Sequence, residues 1–257
     1  MLFRSGMQLS RAGLLIEFHL VGRYNTSMET QTAPSIRDRF GRALQENRFF
    51  VLLELFLLTA FVVIPVKNFS IYFLFIGWFS LWVRRIGWRG VGLRSPGHWG
   101  RTLLLGTLVG VVYQLFSLFI LTPVLHRLTN TTLDLSQFSD VQGSIPILLL
   151  WLAISWTFAA FGEELIYRGY IFNRINDLMG NHRLSVVIAV LVSGFFFGFS
   201  HLYQGMTGFL ETTIFALLMS ILYIFSGRNL WMLIIAHGVI DTIGFLLLFL
   251  GMYPLNS

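Results

Sequence analysis

Seven apolar runs follow one another along this chain, near residues 49–66, 69–83, 102–125, 145–161, 184–201, 209–226 and 230–250. Each approaches the ~20 residues that a helix needs to cross a hydrocarbon layer about 30 Å thick. In lipid every backbone polar group must find its partner inside the protein, so such runs are expected to be membrane-spanning helices. Composition agrees: 55% of the 257 residues are hydrophobic and 12% charged, against about 25% charged in a soluble domain. The fourth run does not stop at Phe161. Apolar positions continue at helical spacing through Leu165, Ile166 and Ile171, so one long helix, or two abutting ones, is expected from about Ile145 to about Asp177. The fold class is all-α, a polytopic transmembrane bundle of about seven to eight helices.

The net charge of +6 suggests an anionic partner. The basic residues, however, sit in the short loops between apolar runs, which leaves no basic and aromatic patch for nucleic acid. Arg37, Arg39, Arg42 and Arg48 precede the first run, and Arg84, Arg85, Arg89, Arg94 and Arg101 fill the loop after the second. Arg174 and Arg183 flank a hairpin at Gly180, and Arg228 sits in the last turn. Loop 126–144 sets Arg127 against Asp134 and Asp140, while loop 202–208 and the tail carry no charge. Every loop but the short Lys67 turn obeys the positive-inside rule if the N-terminus is cytoplasmic and the C-terminus outside. The chain has no Cys, so disulfides and thiolate chemistry are excluded. Residues 1–27 make a poor signal peptide, since Glu17 and His19 interrupt their apolar stretch; they are expected to be disordered or to precede a true start at Met28. The resulting organisation is a cytoplasmic, partly disordered segment 1–48, N-terminal helices and a basic loop over 49–144, a core over 145–250, and a tail 251–257.

An ionisable group inside hydrocarbon costs at least ~2.5–3.5 kcal/mol, so it usually faces the bundle interior and marks function. Eight such residues occur: Glu54, Glu163, Glu164, Arg168, His201, Glu211, His237 and Asp241. Six of them fall into three groups, Glu163-Glu164-x-x-x-Arg168, Phe197-x-x-x-His201 and His237-x-x-x-Asp241. Residues four apart share a helix face, so Glu164 can pair with Arg168, His237 with Asp241, and Phe197 can wall one side of the His201 ring. Glu163 then lies about 100° around the axis, free for other work. It stands seventeen residues before Gly180, and His201 twenty-one after it. In an antiparallel hairpin both reach similar heights, about 25–30 Å from the turn, near mid-bilayer once the polar hairpin projects from the membrane. Glu54 and Glu211 match no group. Glu54 reads as structural or snorkelling, and Glu211 as an acid favoured by a helix dipole near the outer face.

EExxxR, FxxxH and HxxxD, in that order on apolar helices, resemble the signature of the CAAX-protease and bacteriocin-processing (CPBP, Abi) family, which includes the type II CAAX prenyl endopeptidases. The resemblance covers about residues 145–245, with lesser support from the Gly92-Leu93-Arg94-Ser95-Pro96 loop. It implies an intramembrane endopeptidase acting near the C-terminus or membrane-proximal part of a protein or peptide substrate. Glu163, helped by His201, would activate water, and the Glu164–Arg168 pair would hold the helix. His237 and Asp241 would stabilise the oxyanion, with Phe197 at the substrate. The prenyl-processing branch usually carries Asn where Asp241 stands. Aspartate donates a hydrogen bond only when protonated, so Asp241 fits better as the group that orients His237.

Other readings stay open on the sequence. No metal is required, yet Glu163, His201 and His237 are acceptable zinc ligands. Ser193 lies two turns below His201 but lacks an orienting acid for a serine mechanism. A non-catalytic scaffold or a bacteriocin self-immunity protein would use the same residues to hold a fold. A transporter would need an inverted repeat or paired broken helices, which are not evident. A protease further needs a lateral or cytoplasmic opening wide enough for a peptide. Asp241, the small size and the arginine-rich loop lean towards a bacterial plasma-membrane protein. Oligomeric state leaves no mark on the sequence.

Overall fold

The computed structural model describes residues 34–63 and 69–254, and over them the chain is all-helical. The expected start at Met28, the Lys67 turn and the last three residues lie outside that range. Helix α1 (Ile36–Glu46) opens with a capping box, in which Asp38 N donates to Ser35 Oγ at 3.1 Å and Ser35 N donates to Asp38 Oδ2 at 3.2 Å. Two reciprocal bonds of this kind satisfy donors that a helix start leaves free. Helices α2 (Arg48–Val63) and α3 (Phe69–Arg84) follow.

Four longer helical stretches are apolar and long enough to cross a membrane: α4 (Trp99–Thr129), α5 (Ile145–Leu178), a stretch Leu202–Phe225 containing α7 (Gly205–Phe225), and α8 (Trp231–Phe249). Helix α6 (Arg183–Phe199) is shorter. Large apolar side chains point outward along them, Phe119, Leu104 and Phe225 being 74%, 68% and 83% exposed, as lipid-facing residues are. The long helix expected from Ile145 to Asp177 is present as α5.

Helix α5 is not uniform. Its middle, Ser155–Phe172, winds as a π-helix with i→i+5 bonding, and α4 contains a shorter π stretch at Ser117–Leu121. Such wide turns are rare and concentrate at functional sites. The α-helical 100° step assumed above therefore does not hold around Glu163, because a wider helix turns less per residue. Helices α4 and α8 pack closely because α4 offers glycine at the crossing. A Cβ on Gly106 would stand 2.8 Å from Ile235, and one on Gly110 2.6 Å from the Ala236 carbonyl.

Loops expected to share a membrane side do meet. At one end Arg85 Nε donates to Asp38 at 2.8 Å, Arg94 Nη2 to the Gly227 carbonyl at 2.5 Å, and Arg228 Nη1 to Asn173 Oδ1 at 3.2 Å. Gly92, at φ 104°, comes so close to this last turn that a Cβ would stand 2.6 Å from the Arg228 carbonyl. At the other end Asp134 N donates to the Gln204 carbonyl and Gly143 N to the Phe249 carbonyl, each at 3.0 Å.

Arg174 departs from its expected place as a loop charge. It is 1% exposed, and its Nε donates to Glu54 Oε2 at 2.7 Å while its Nη2 donates to the Leu44 carbonyl at 2.8 Å. Tyr170 also donates to Glu54. Glu54 is thus a buried structural anion, 7% exposed, not a snorkelling one. The three residues tie α2 to α5.

Candidate active site

Three helices carry the predicted site residues into one place. The π segment of α5 supplies Glu163, Glu164 and Arg168, α8 supplies His237 and Asp241, and Phe197 lies in the last turns of α6. His201 falls just beyond α6, in the turn leading to the 3-10 segment Leu202–Gln204, so it is not itself helical as expected.

Glu164 is fully buried and its Oε1 takes two donors: Arg168 Nη1 at 3.0 Å and His237 Nδ1 at 2.9 Å. Arg168 is equally buried; it donates through Nη2 to the Ala216 carbonyl at 3.1 Å and lies 4.8 Å over the Phe197 ring. The expected Glu164–Arg168 pair therefore exists, but it also carries the imidazole. That corrects the role expected of Asp241. The His237 nitrogen bound by a carboxylate is Nδ1, and the carboxylate is that of Glu164. Asp241 Oδ2 stands 3.7 Å from Nε2, too far for a hydrogen bond, and instead accepts from Ser155 Oγ at 2.6 Å. Ser155 was missed by the sequence reading. It sits in the first turn of the π segment and is 3% exposed.

His201 is set by the helix it follows. Its Nδ1 lies 2.9 Å from the Phe197 carbonyl and 3.1 Å from Ser200 Oγ. A carbonyl only accepts, so Nδ1 is the donor there, and the neutral ring keeps its lone pair on Nε2. The Phe197 ring stacks on His201 at 4.8 Å between centroids, as the i, i+4 spacing predicted. Phe197 is 1% exposed and also packs on Tyr167 at 4.9 Å, which makes it chiefly a support for the imidazole.

Glu163, His201, His237 and Asp241 all line one cavity of about 290 Å³. Among the described residues Glu163 accepts no hydrogen bond from protein, whereas its neighbour Glu164 accepts two. The cavity wall continues through Phe138, Trp151 and Phe245, three rings packed 4.9–5.9 Å apart. Glu211 also belongs to this wall. It lies in the second turn of α7, beyond the reach of the helix dipole invoked for it, and accepts from Ser117 in the π turn of α4. Ser193 is buried and is not among the residues that line the cavity. Among the described residues no three His, Asp or Glu side chains are grouped closely enough to hold a metal ion.

Residues 145–243 match the family model described as type II CAAX prenyl endopeptidase Rce1-like. That segment resembles the family over fewer than half of the 257 residues. The Rce1-like match contains all six polar motif residues and Phe197, and it stops before the tail. It likens this core to CAAX-type prenyl endopeptidases, and the apolar helices around it suit a lipid bilayer. Searches of curated proteins and of solved structures matched nothing.

Proposed function

We propose that this protein is an intramembrane endopeptidase in which Glu163 activates the hydrolytic water. The observation that carries the reading is the contrast between two adjacent acids: Glu164 accepts from Arg168 and His237, while Glu163 faces the cavity with no donor among the described residues. A carboxylate in that position can take a proton from water. The Nε2 lone pair of His201 lines the same cavity and is available to hold that water or receive its proton. As water adds to the scissile carbonyl, negative charge grows on its oxygen, and the Nε2–H of protonated His237 is the donor for it. Glu164, bound to Nδ1, stabilises that imidazolium. The proton held by Glu163 then passes to the departing amine, which closes the balance of water, peptide and proton. Asp241, tethered by Ser155, stands beside the donor without occupying it. No step is routed through a metal.

Helices α2, α3 and α6 complete the proposed bilayer bundle with the four longer stretches, which brings the spans to seven. The proposed location is the plasma membrane of a bacterium, with α1 in the cytoplasm. The test is cleavage of a fluorogenic peptide panel by the purified full chain, comparing wild type with Glu163→Ala, each with and without a chelator. Cleavage that is lost in the variant and indifferent to chelator is expected. Equal cleavage by both proteins refutes the mechanism, and chelator-sensitive cleavage refutes its metal-free form. Failure of the folded wild type on every peptide moves the reading to a scaffold or self-immunity protein.

A further inference from the structure

We infer that the cavity opens at the membrane face opposite the arginine-rich loops, so that substrate enters from outside the cytoplasm. The word substrate rests on the protease reading above; the orientation does not.

The two ends of the bundle differ sharply in charge. One gathers the arginines of α1, those of the 84–101 loop and Arg183 beside Gly180, held together by the Asp38–Arg85, Arg94–Gly227 and Asn173–Arg228 bonds. The other is built from loop 130–144, the 202–204 turn and the tail after α8, joined through Asp134–Gln204 and Gly143–Phe249. Its exposed acids, Asp134 and Asp140, outnumber its one exposed arginine, Arg127. Arginine and lysine are retained on the cytoplasmic side during insertion, so the first end is cytoplasmic.

The cavity belongs to the second end. Its lining includes Leu135 and Phe138 from loop 130–144, Tyr203 and Gln204 from the turn, and Leu248 and Tyr253 from the end of α8 and the tail. None of the arginines lines it. Depth points the same way. From Arg183 at the start of α6 to His201 the chain rises about 27 Å at 1.5 Å per residue, close to the ~30 Å of a hydrocarbon core. The imidazole therefore lies near the far boundary, not at mid-depth, and of the lateral or cytoplasmic opening that a protease was expected to need, the cytoplasmic form has no counterpart in the cavity lining. Peptides that reach this site come from the extracytoplasmic side or from the outer part of the membrane itself.

The chain lacks cysteine, which makes the test direct. Ser139→Cys places a thiol at the exposed mouth and Ser95→Cys one at the exposed arginine-rich end. Intact cells expressing each full-length variant are treated with a membrane-impermeant maleimide, then permeabilised and treated again. Ser139→Cys is expected to react at least tenfold faster than Ser95→Cys before permeabilisation, and both alike after it. The reverse order, equal labelling in intact cells, or no Ser139→Cys reaction before permeabilisation overturns the inference. If Ser139→Cys fails to fold, Asp140→Cys reports on the same mouth. Labelling requires no catalysis: a protein that cuts nothing leaves the orientation standing, and reversed labelling leaves the protease reading standing.

Discussion

Replacing each of the two adjacent glutamates by glutamine should have opposite effects on stability and the same effect on activity. Glu164 is fully buried, its guanidinium partner Arg168 has 1% of its side chain exposed, and the two meet at 3.0 Å. Removing one member of such a pair leaves an uncompensated charge and costs about 3–5 kcal/mol. In a chain of this size each kcal/mol is worth roughly 2–4 °C, so Glu164→Gln should lower Tm by on the order of 10 °C. His237 loses its anionic partner in the same step. Glu163 has no donor to lose among the described residues, so Glu163→Gln should melt with wild type or slightly above it, because a buried carboxylate that accepts no hydrogen bond there is relieved. Both variants should be inactive. The assay is thermal unfolding of the three proteins in one detergent, followed by peptide cleavage below the lowest Tm. A Glu164→Gln protein as stable as wild type would refute the account, as would an equal loss in Glu163→Gln.

Ser155→Ala removes the only hydrogen bond described for Asp241 and lets it close on His237 Nε2; kcat should fall about tenfold, the order of one hydrogen bond to a charged group, with KM little changed. Recovery in Ser155→Thr would separate this role from simple packing. Arg174→Met strands Glu54 and should cost about 3–5 kcal/mol in melts, most of it regained by adding Glu54→Gln. Gly110→Val forces α4 from the Ala236 carbonyl and should cost about 1–3 kcal/mol, again read by Tm.

What was legible in the sequence was local. Helix periodicity and loop arginines gave the all-α bundle and the contacts of its ends, and i, i+4 spacing gave the Glu164–Arg168 pair and the Phe197–His201 stack, because the partners lie one turn apart. The partners that were missed are all distant. Glu164 reaches His237 across 73 positions, Arg174 reaches Glu54 across 120, and Ser155 reaches Asp241 across 86. No periodicity encodes such partners. Only the unexplained surplus of intramembrane acids signalled that they must exist, and for Glu54 the missing cation was already in view as Arg174, taken for a loop residue. The π winding of α5 was likewise hidden, since its apolar positions are dense enough to satisfy several periods.

That winding has a consequence for how this activity can be inherited. A π stretch behaves as extra residues housed between fixed ends, so the direction in which Glu163 points depends on how many residues separate Ser155 from Phe172, as well as on which they are. Deleting one of them, Ala159 for instance, would let the segment tighten towards an α-helix and swing Glu163 off the cavity while leaving every motif letter intact. Among descendants of such a chain, loss of function by a change of length would leave EExxxR, FxxxH and HxxxD all in place.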